Sequence, residues 1–406
     1  MKNVKFSTSV MSKHVLPKGF LANGIHCGLK KKRKDLALFY SEKPCKCAAL
    51  FTRNVVKAAP VILAQRQLRK NGNIRAIIVN SGNANCMTGT RGMADAERTA
   101  AETAAVLKIR AEEVLVSSTG VIGRPLRMTP LVEGLPGLAD GLSADGLIHA
   151  AEGMMTTDRF PKVASRTFTA GDKRVTITGA AKGAGMICPD MATMLCYVLT
   201  DADITEKALV RALSASNEVS FRAITVDGDM STNDTLALLA NGEAKNRPIK
   251  ERGGDFKVFL SNLNAVTVDL AKMIVRDGEG ATRFMEVTVR GARTKAEAEK
   301  GASAIANSLL VKCAVHGGDP NWGRVASSLG SSGIRLKPDS MDIILDGVTF
   351  FKEGRHTSPG KKRAQSVFKK KDVRIETRLH QGNAEASVYT CDISKKYIKI
   401  NSLYTT

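Results

Sequence analysis

The sequence predicts an α/β protein. Apolar strand-like runs alternate with amphipathic helix-like runs along most of the chain. Polar corners rich in Gly, Asn and Thr separate them. The length of 406 residues, with 43% hydrophobic and 25% charged residues, fits a chain that buries more than one core.

The elements follow in order. "RAIIVN" (75–80) reads as a buried strand that ends in a Gly/Asn turn. "ADAERTAAETAAVLK" (94–108) is Ala-rich and reads as a helix. "VLVSS" (114–118) is a strand running into Thr119 and Gly120, and "RVTITGA" (174–180) is another. In "KGAGMICPDMATMLCYVLTDADI" (182–204) a glycine-rich loop gives way to a buried strand at Met194 to Leu199. "TEKALVRALSAS" (205–216) and "NLNAVTVDLAKMIVRD" (262–277) are helical, and "RFMEVTVRGA" (283–292) is a strand. "TKAEAEKGASAIANSLLVKCA" (294–314) reads as one helix, opened by a capping box of Thr294 and Glu297. Beyond about Phe350 the chain is basic and strand-like to its end in "SVYTCDISKKYIKINSLYTT".

Composition narrows the function. No run of about 18 apolar residues stands out, so no membrane span is expected. The first 34 residues lack acids, but they carry neither an amphipathic Arg pattern nor an apolar run before a small-residue cleavage site. The formal charge is +22, with dense patches in "LKKKRKD" (29–35) and "GKKRAQSVFKKKDVR" (360–374). Neither patch interleaves aromatics as a base-stacking surface would, so both read as solvated loops whose field draws small anions. No specific nucleic-acid partner is expected. Cys45 and Cys47 are too close for a zinc knuckle, and the six histidines form no HxH or HExxH pattern, so no metal is expected. The eight cysteines read as free thiols of a reducing compartment. No GxxxxGK[ST] occurs, and no GxGxxG opens a βαβ unit.

The junction of Ala192 and Thr193 poses the chemical question. A threonine hydroxyl is a weak nucleophile unless a base adjoins it. Its own α-amine, freed by a cut before it, would serve, with an ordinary pKa of about 7.7. Ala192 is small enough to let the hydroxyl reach its carbonyl. The alternative is a β-branched residue that merely opens a strand. Pattern alone leaves both standing.

The motif "KGAGMICPDMATML" resembles the processing site of the ornithine acetyltransferase family, also called glutamate N-acetyltransferase or ArgJ. The segments "LPKGFLANGIHCGLKKKRKDLALFYSEKP", "LFTRNVVKAAPV", "VNSGNANCMTG", "SSTGVIG", "TTDRFPK", "STNDT", "DGEGAT", "VKCAVHGGDPNWGR" and "YIKINSLYTT" resemble it in the same order, from about His14 to Thr406. The resemblance implies self-cleavage between Ala192 and Thr193, giving segments 1–192 and 193–406. Thr193 becomes the acetyl-carrying nucleophile. Thr119 and Gly120 correspond to the oxyanion hole, and Glu279 to a catalytic acid that holds the substrate amine. Thr156 with its neighbour Thr157, Lys182, Thr193, Glu279, Asn401 and Thr406 correspond to substrate-binding positions. The implied reaction passes acetyl from N-acetylornithine to glutamate in arginine biosynthesis by a ping-pong route without a cofactor. Acetyl-CoA is an alternative donor in some members, and a self-processing N-terminal-Thr amidohydrolase is the nearest rival.

The resemblance also implies a layered α/β sandwich related to the self-processing aminopeptidases of the DmpA type. A main region 1–280 would hold the cleavage site. A smaller α/β region 281–406 would send its tail back to the active site. Assembly into a heterotetramer or larger of αβ pairs, and a cytoplasmic location, are expected with it. The chain departs from the family pattern at Ala184, Asp190 and Arg159, where Ser, Asn and Thr are usual. These bear on the rate of cutting and on substrate preference.

Overall fold

The computed structural model describes residues 14–70, 72–188 and 194–403. Ala192, Thr193 and Thr406, together with Asp190, lie outside the described residues. Two sheets organise the chain. The first is built from β1 (Phe20–Ile25), β2 (Leu36–Phe51), β3 (Asn73–Asn83), β4 (Val114–Val121), β5 (Lys162–Ala170), β6 (Lys173–Lys182), β7 (Leu195–Thr200) and β8 (Thr235–Ala240). Its order is β4-β3-β2-β8-β7-β6-β5, with β1 pairing β2. Six helices accompany it: α1 (Ala59–Lys70), α2 (Gly89–Leu107), α3 (Met128–Asp140), α4 (Leu147–Met154), α5 (Glu206–Val219) and α6 (Gly254–Arg276).

Strand periodicity sorts the side chains into layers. Leu36, Leu38, Ala76, Ile78, Val114 and Val116 point to α1–α3. Val175, Ile177, Cys196, Val198, Leu236 and Leu238 point to α5 and α6. The alternate residues from both halves of the sheet, among them Phe39, Ile77, Val79, Leu115, Leu195, Tyr197 and Leu239, meet in one shared core. Helices therefore cover the outside of two strand layers, which is the layered α/β sandwich.

The long strand β2 explains how the layers form. Its first part pairs β3 and its last part pairs β8, with a register break between Tyr40 and Cys45. Leu36 lies at the β3 end and Phe51 at the β8 end, about 50 Å apart on a flat strand. Yet Lys182, at the end of β6, donates to the Thr119 hydroxyl of β4 across 3.0 Å. The sheet has folded over on itself, and the fold brings opposite ends of the ladder together.

The second sheet comprises β9 (Phe284–Ala292), β10 (Asp342–Leu345), β11 (Val348–Lys352), β12 (Arg355–His356), β13 (Asp372–Arg378) and β14 (Ala384–Cys391), in the order β12-β11-β10-β13-β9-β14. It has its own core with α7 (Lys295–Asn307), α8 (Leu309–Gly317) and α9 (Trp322–Gly330). The short α10 (Lys361–Ala364) and the terminal α11 (Lys395–Leu403) complete the described elements. The backbone bond from the Thr225 amide to the Tyr389 carbonyl, and Lys272 of α6 over the Tyr389 ring, join the second sheet to the first layer of helices and strands.

Three expectations need correction. The helix expected over 294–314 is two, because Ser308 leaves the helical region (ψ 113°) and its hydroxyl caps α8 by accepting from the Val311 amide. Only half of the expected capping box forms at Thr294. Its hydroxyl accepts from the Glu297 amide, while the Glu297 carboxylate takes Arg293. The tail is helical rather than strand-like, since Lys395–Leu403 forms α11. In addition, α6 starts at Gly254, well before 262, and is long and apolar enough to cross a membrane by length and composition. Its apolar side instead lies in the core, through Phe259, Leu263, Val266, Leu270 and Ile274.

Candidate active site

Strands β3 and β4 run parallel and end together, with Gly82 opposite Gly120 and an irregular register at Asn83. Gly120 has φ +133°, and a Cβ there would fall 2.3 Å from the Gly82 carbonyl carbon. Only glycine fits this close approach. Beside it, Thr119 is buried and its Oγ1 accepts from Lys182 Nζ. The accepted proton occupies a lone pair, so the hydroxyl's own hydrogen is free to donate elsewhere.

Lys182 is itself buried, and burial pushes its ammonium below the ordinary lysine range against the pull of Asp158. A charged lattice surrounds it. Lys162 Nζ bonds Asp158 Oδ1 and Asp277 Oδ2, each at 2.6 Å, with all three side chains fully enclosed. Burial would raise the Asp158 carboxyl, but Lys162 and Lys182 overcome it and hold the acid well below its usual range. Asp158 also receives the amides of Thr156 at 2.9 Å and Gly183 at 2.8 Å, which fixes both corners. Arg159 turns away from the cavity to Asp277 Oδ1 at 2.7 Å and the Arg276 carbonyl at 2.8 Å. The substitution at 159 therefore buttresses the lattice.

The first basic patch belongs to the same neighbourhood and is less solvated than expected. Lys30 Nζ reaches the Met155 carbonyl at 2.8 Å, Arg33 reaches the Asp158 carbonyl at 3.0 Å, and Lys34 pairs with Glu152. Burial lowers the Lys30 ammonium to about 8.

Glu279 closes the opposite side. Its amide donates to the Ala184 carbonyl at 2.8 Å, and its Oε2 accepts from Asn401 Nδ2 at 2.8 Å. Gly185 packs so tightly against this carboxylate that a Cβ would sit 2.6 Å from its carbon. The tail is held by polar contacts: Asn401 to Glu279, Tyr397 to Asp227, and Ser394 Oγ to the Gly280 carbonyl at 2.7 Å. Ile398 and Leu403 of the tail are exposed.

Gly185 and Ile122 help to wall a cavity of about 320 Å³. Of the expected site residues, Thr119, Gly120, Thr156, Thr157, Lys182, Glu279 and Asn401 share its wall. Sequence reasoning missed Asp227, Asp229, Ser231, Thr232, Asn233 and Tyr397, which share it too. Within the corner "VDGDMSTNDT", "STNDT" (231–235) was legible only as a segment resembling the family, with no role assigned to its residues. Its tie to the Thr119 corner, through Asn233 Nδ2 to the Ser118 carbonyl at 2.8 Å, spans 115 residues. Among the described residues, no three His, Cys, Asp or Glu side chains group as a metal site.

The ArgJ family model matches residues 21–406. The chain belongs to the ArgJ family. Its relatives named arginine biosynthesis bifunctional protein ArgJ include one from Geobacter sulfurreducens, 47% identical over 96% of this chain and 99% of that one. Another, from Caldanaerobacter subterraneus subsp. tengcongensis, is 45% identical over 96% of this chain and 98% of its own. A solved arginine biosynthesis bifunctional protein ArgJ from Bacillus halodurans is 38% identical, with a TM-score of 0.50. It covers 51% of this chain and 98% of that one. As an ArgJ family member, the chain is an acyltransferase of arginine biosynthesis.

Proposed function

We propose that this ArgJ protein cuts itself between Ala192 and Thr193 and then moves acetyl from N-acetylornithine to glutamate through an acetyl-Thr193 ester. In the cut, Thr193 Oγ attacks the Ala192 carbonyl, the C–N bond breaks and its nitrogen takes the hydroxyl proton. Water then hydrolyses the ester. In transfer, the freed amine takes the Oγ proton as Thr193 attacks the acetyl carbonyl. Thr119 and the Gly120 backbone stabilise the tetrahedral oxygen. Collapse expels ornithine's amine, which takes the proton. Glutamate's amine reverses the steps and leaves with the acetyl group. Thr156, Lys182, Glu279, Asn401 and Thr406 hold the substrates, with the Glu279 carboxylate suited to an amine.

The observation that carries this reading is the cavity in which a lysine-polarised threonine faces a carboxylate. The Bacillus halodurans chain, matched over 98% of itself, covers only about half of this one. Half is what a cut after residue 192 leaves, as segments of 192 and 214 residues. The name of the relatives, arginine biosynthesis bifunctional protein, favours a second donor, acetyl-CoA, for the same nucleophile. No cofactor is required, because one acyl bond replaces another. The active form is a heterotetramer or larger of αβ pairs in the cytoplasm. The chain divides near residue 280, between the two sheets, into a main and a C-terminal region.

Thr193→Ala tests the reading. The variant stays a single full-length chain and transfers no acetyl, whereas Thr193→Ser still cuts. Two normal fragments from Thr193→Ala would refute self-cleavage by Thr193. Double-reciprocal plots against both substrates run parallel; intersecting lines would instead mean direct transfer.

A further inference from the structure

Connection 226–234 leads into β8 and lines the cavity. It holds both ends of the chain between Ile187 and Met194. At the entry, Asp227 Oδ2 accepts from the Met186 amide at 2.7 Å and Oδ1 from the Ile187 amide at 2.8 Å. The Ile187 carbonyl in turn accepts from the amides of Val226 at 2.9 Å and Gly228 at 3.2 Å. Met186 is held at φ +57°, a left-handed conformation costly for methionine. At the exit, Asp234 Oδ1 accepts from the Met194 amide at 3.2 Å, and the Met194 carbonyl accepts from the Thr235 amide at 3.1 Å. Ile187 thus has both main-chain groups bonded to the connection, and Met194 has its amide bonded to the connection and its carbonyl to the first residue of β8.

The connection is itself anchored. Thr52 Oγ1 donates to the Ser231 carbonyl at 2.6 Å, and Ala58 donates its amide to the Thr232 carbonyl at 3.0 Å. Asn233 Nδ2 donates to the carbonyls of Ala84 at 2.7 Å and Ser118 at 2.8 Å. These bonds tie the clamp to the Thr119 corner.

We infer that Asp227 and Asp234 are positioning residues for self-cleavage, one fixing the entry and the other the exit of the segment that cuts. The inference rests on the reading that the cut falls between Ala192 and Thr193. An intramolecular attack needs its atoms about 3–3.5 Å apart, and fixing both ends of a short span removes most of the conformations that miss. The two carboxyls differ in what they demand. Asp227 needs two acceptor oxygens for two amides, so asparagine would set an N–H against an N–H. Asp234 needs one acceptor. Its Oδ2 has no partner among the described residues, and burial pushes its carboxyl well above the usual range, toward the acid form that asparagine mimics.

The test follows self-cleavage of freshly synthesised full-length chain in a cell-free system, read on denaturing gels and by intact mass. Asp227→Asn and Asp227→Ala both cut about ten-fold or more slowly than wild type, as expected when a buried amide loses its acceptor. Asp234→Asn cuts about ten-fold faster than Asp234→Ala, a rescue that general loss of packing would not produce. All four variants cutting at the wild-type rate, or Asp234→Ala matching Asp234→Asn, would overturn the clamp. A wild-type chain that never cuts would instead overturn the cleavage reading itself.

Discussion

Lys182 sits where its charge is costly, and the cost explains its work. A buried ammonium bonded to Thr119 Oγ1 leaves that hydroxyl's hydrogen free to donate, as the proposed oxyanion role requires. Thr119→Val should slow acetyl transfer by about two to three powers of ten at an unchanged fold, since one oxyanion donor is lost. An unaltered kcat would remove Thr119 from that role. The pH profile carries the sign of the lysine's environment. Burial favours the neutral amine, so Lys182 loses its proton below the ordinary value of about 10.4. Transfer should rise as the Thr193 amine deprotonates, then fall on the alkaline side before an ordinary lysine would titrate. Lys182→Met should be slow and lack the alkaline limb. A limb that persists in Lys182→Met belongs to another group. At this scale Thr119, Gly120, Lys182, Glu279 and Asn401 were legible through motif order. Asp227 and Asp234 were not, because their partners are backbone amides about 40 residues away, which leave no local pattern.

Among elements, the tail helix α11 and the buried lattice decide the most. Gly280 has φ +71°, and a Cβ there would fall 2.5 Å from the Tyr397 amide. Gly280→Ala should therefore push α11 off Glu279 and raise KM for both substrates while sparing self-cleavage. Wild-type KM would show that the helix is not part of the pocket. Deleting 401–406 should likewise abolish or severely impair transfer in a fully cut protein. Lys162→Met removes the cation that Asp158 and Asp277 share, leaving Asp277 to Arg159 and Asp158 enclosed without a bonded cation, a change that typically costs about 3–5 kcal/mol, readable in chemical denaturation. The acid side follows from the Asp158 shift. Its folded pKa lies below the unfolded value of about 3.9, so its contribution is full above that pH and is lost as pH falls toward the folded pKa. Asp158→Asn should therefore be less stable than wild type at neutral pH, with the gap narrowing in acid below about pH 4. A gap that stays constant would assign the loss to packing. The sequence reading erred here for identifiable reasons. Ser308 looks like any residue of an Ala-rich helix until its hydroxyl caps the next one, and the alternating look of "KYIKINSL" fits a strand as well as a helix whose apolar residues stay exposed.

For the whole molecule, alternation of strands and helices foretold the α/β class, and the sheet's folding over on itself did not show. That fold depends on a register break between Tyr40 and Cys45 and on a core shared by residues as distant as Phe39 and Tyr197, whose rings lie 5.6 Å apart. It is also what creates the site. It brings the end of β4 against the end of β6 and leaves the entry to β7 beside both. A field from +22 surrounds a cavity that also presents Asp227, Asp229 and Glu279, a pairing suited to substrates with both carboxylates and amines. The central claim is that this cavity acetylates a threonine freed by the chain itself. Intact mass spectrometry of freshly purified protein, incubated with N-acetylornithine and then with glutamate, addresses it in one series. Two chains, 1–192 and 193–406, should be present. The second should gain one acetyl group with the donor and lose it when glutamate is added. A single chain of 406 residues, or a 193–406 segment that never gains acetyl, would contradict the account.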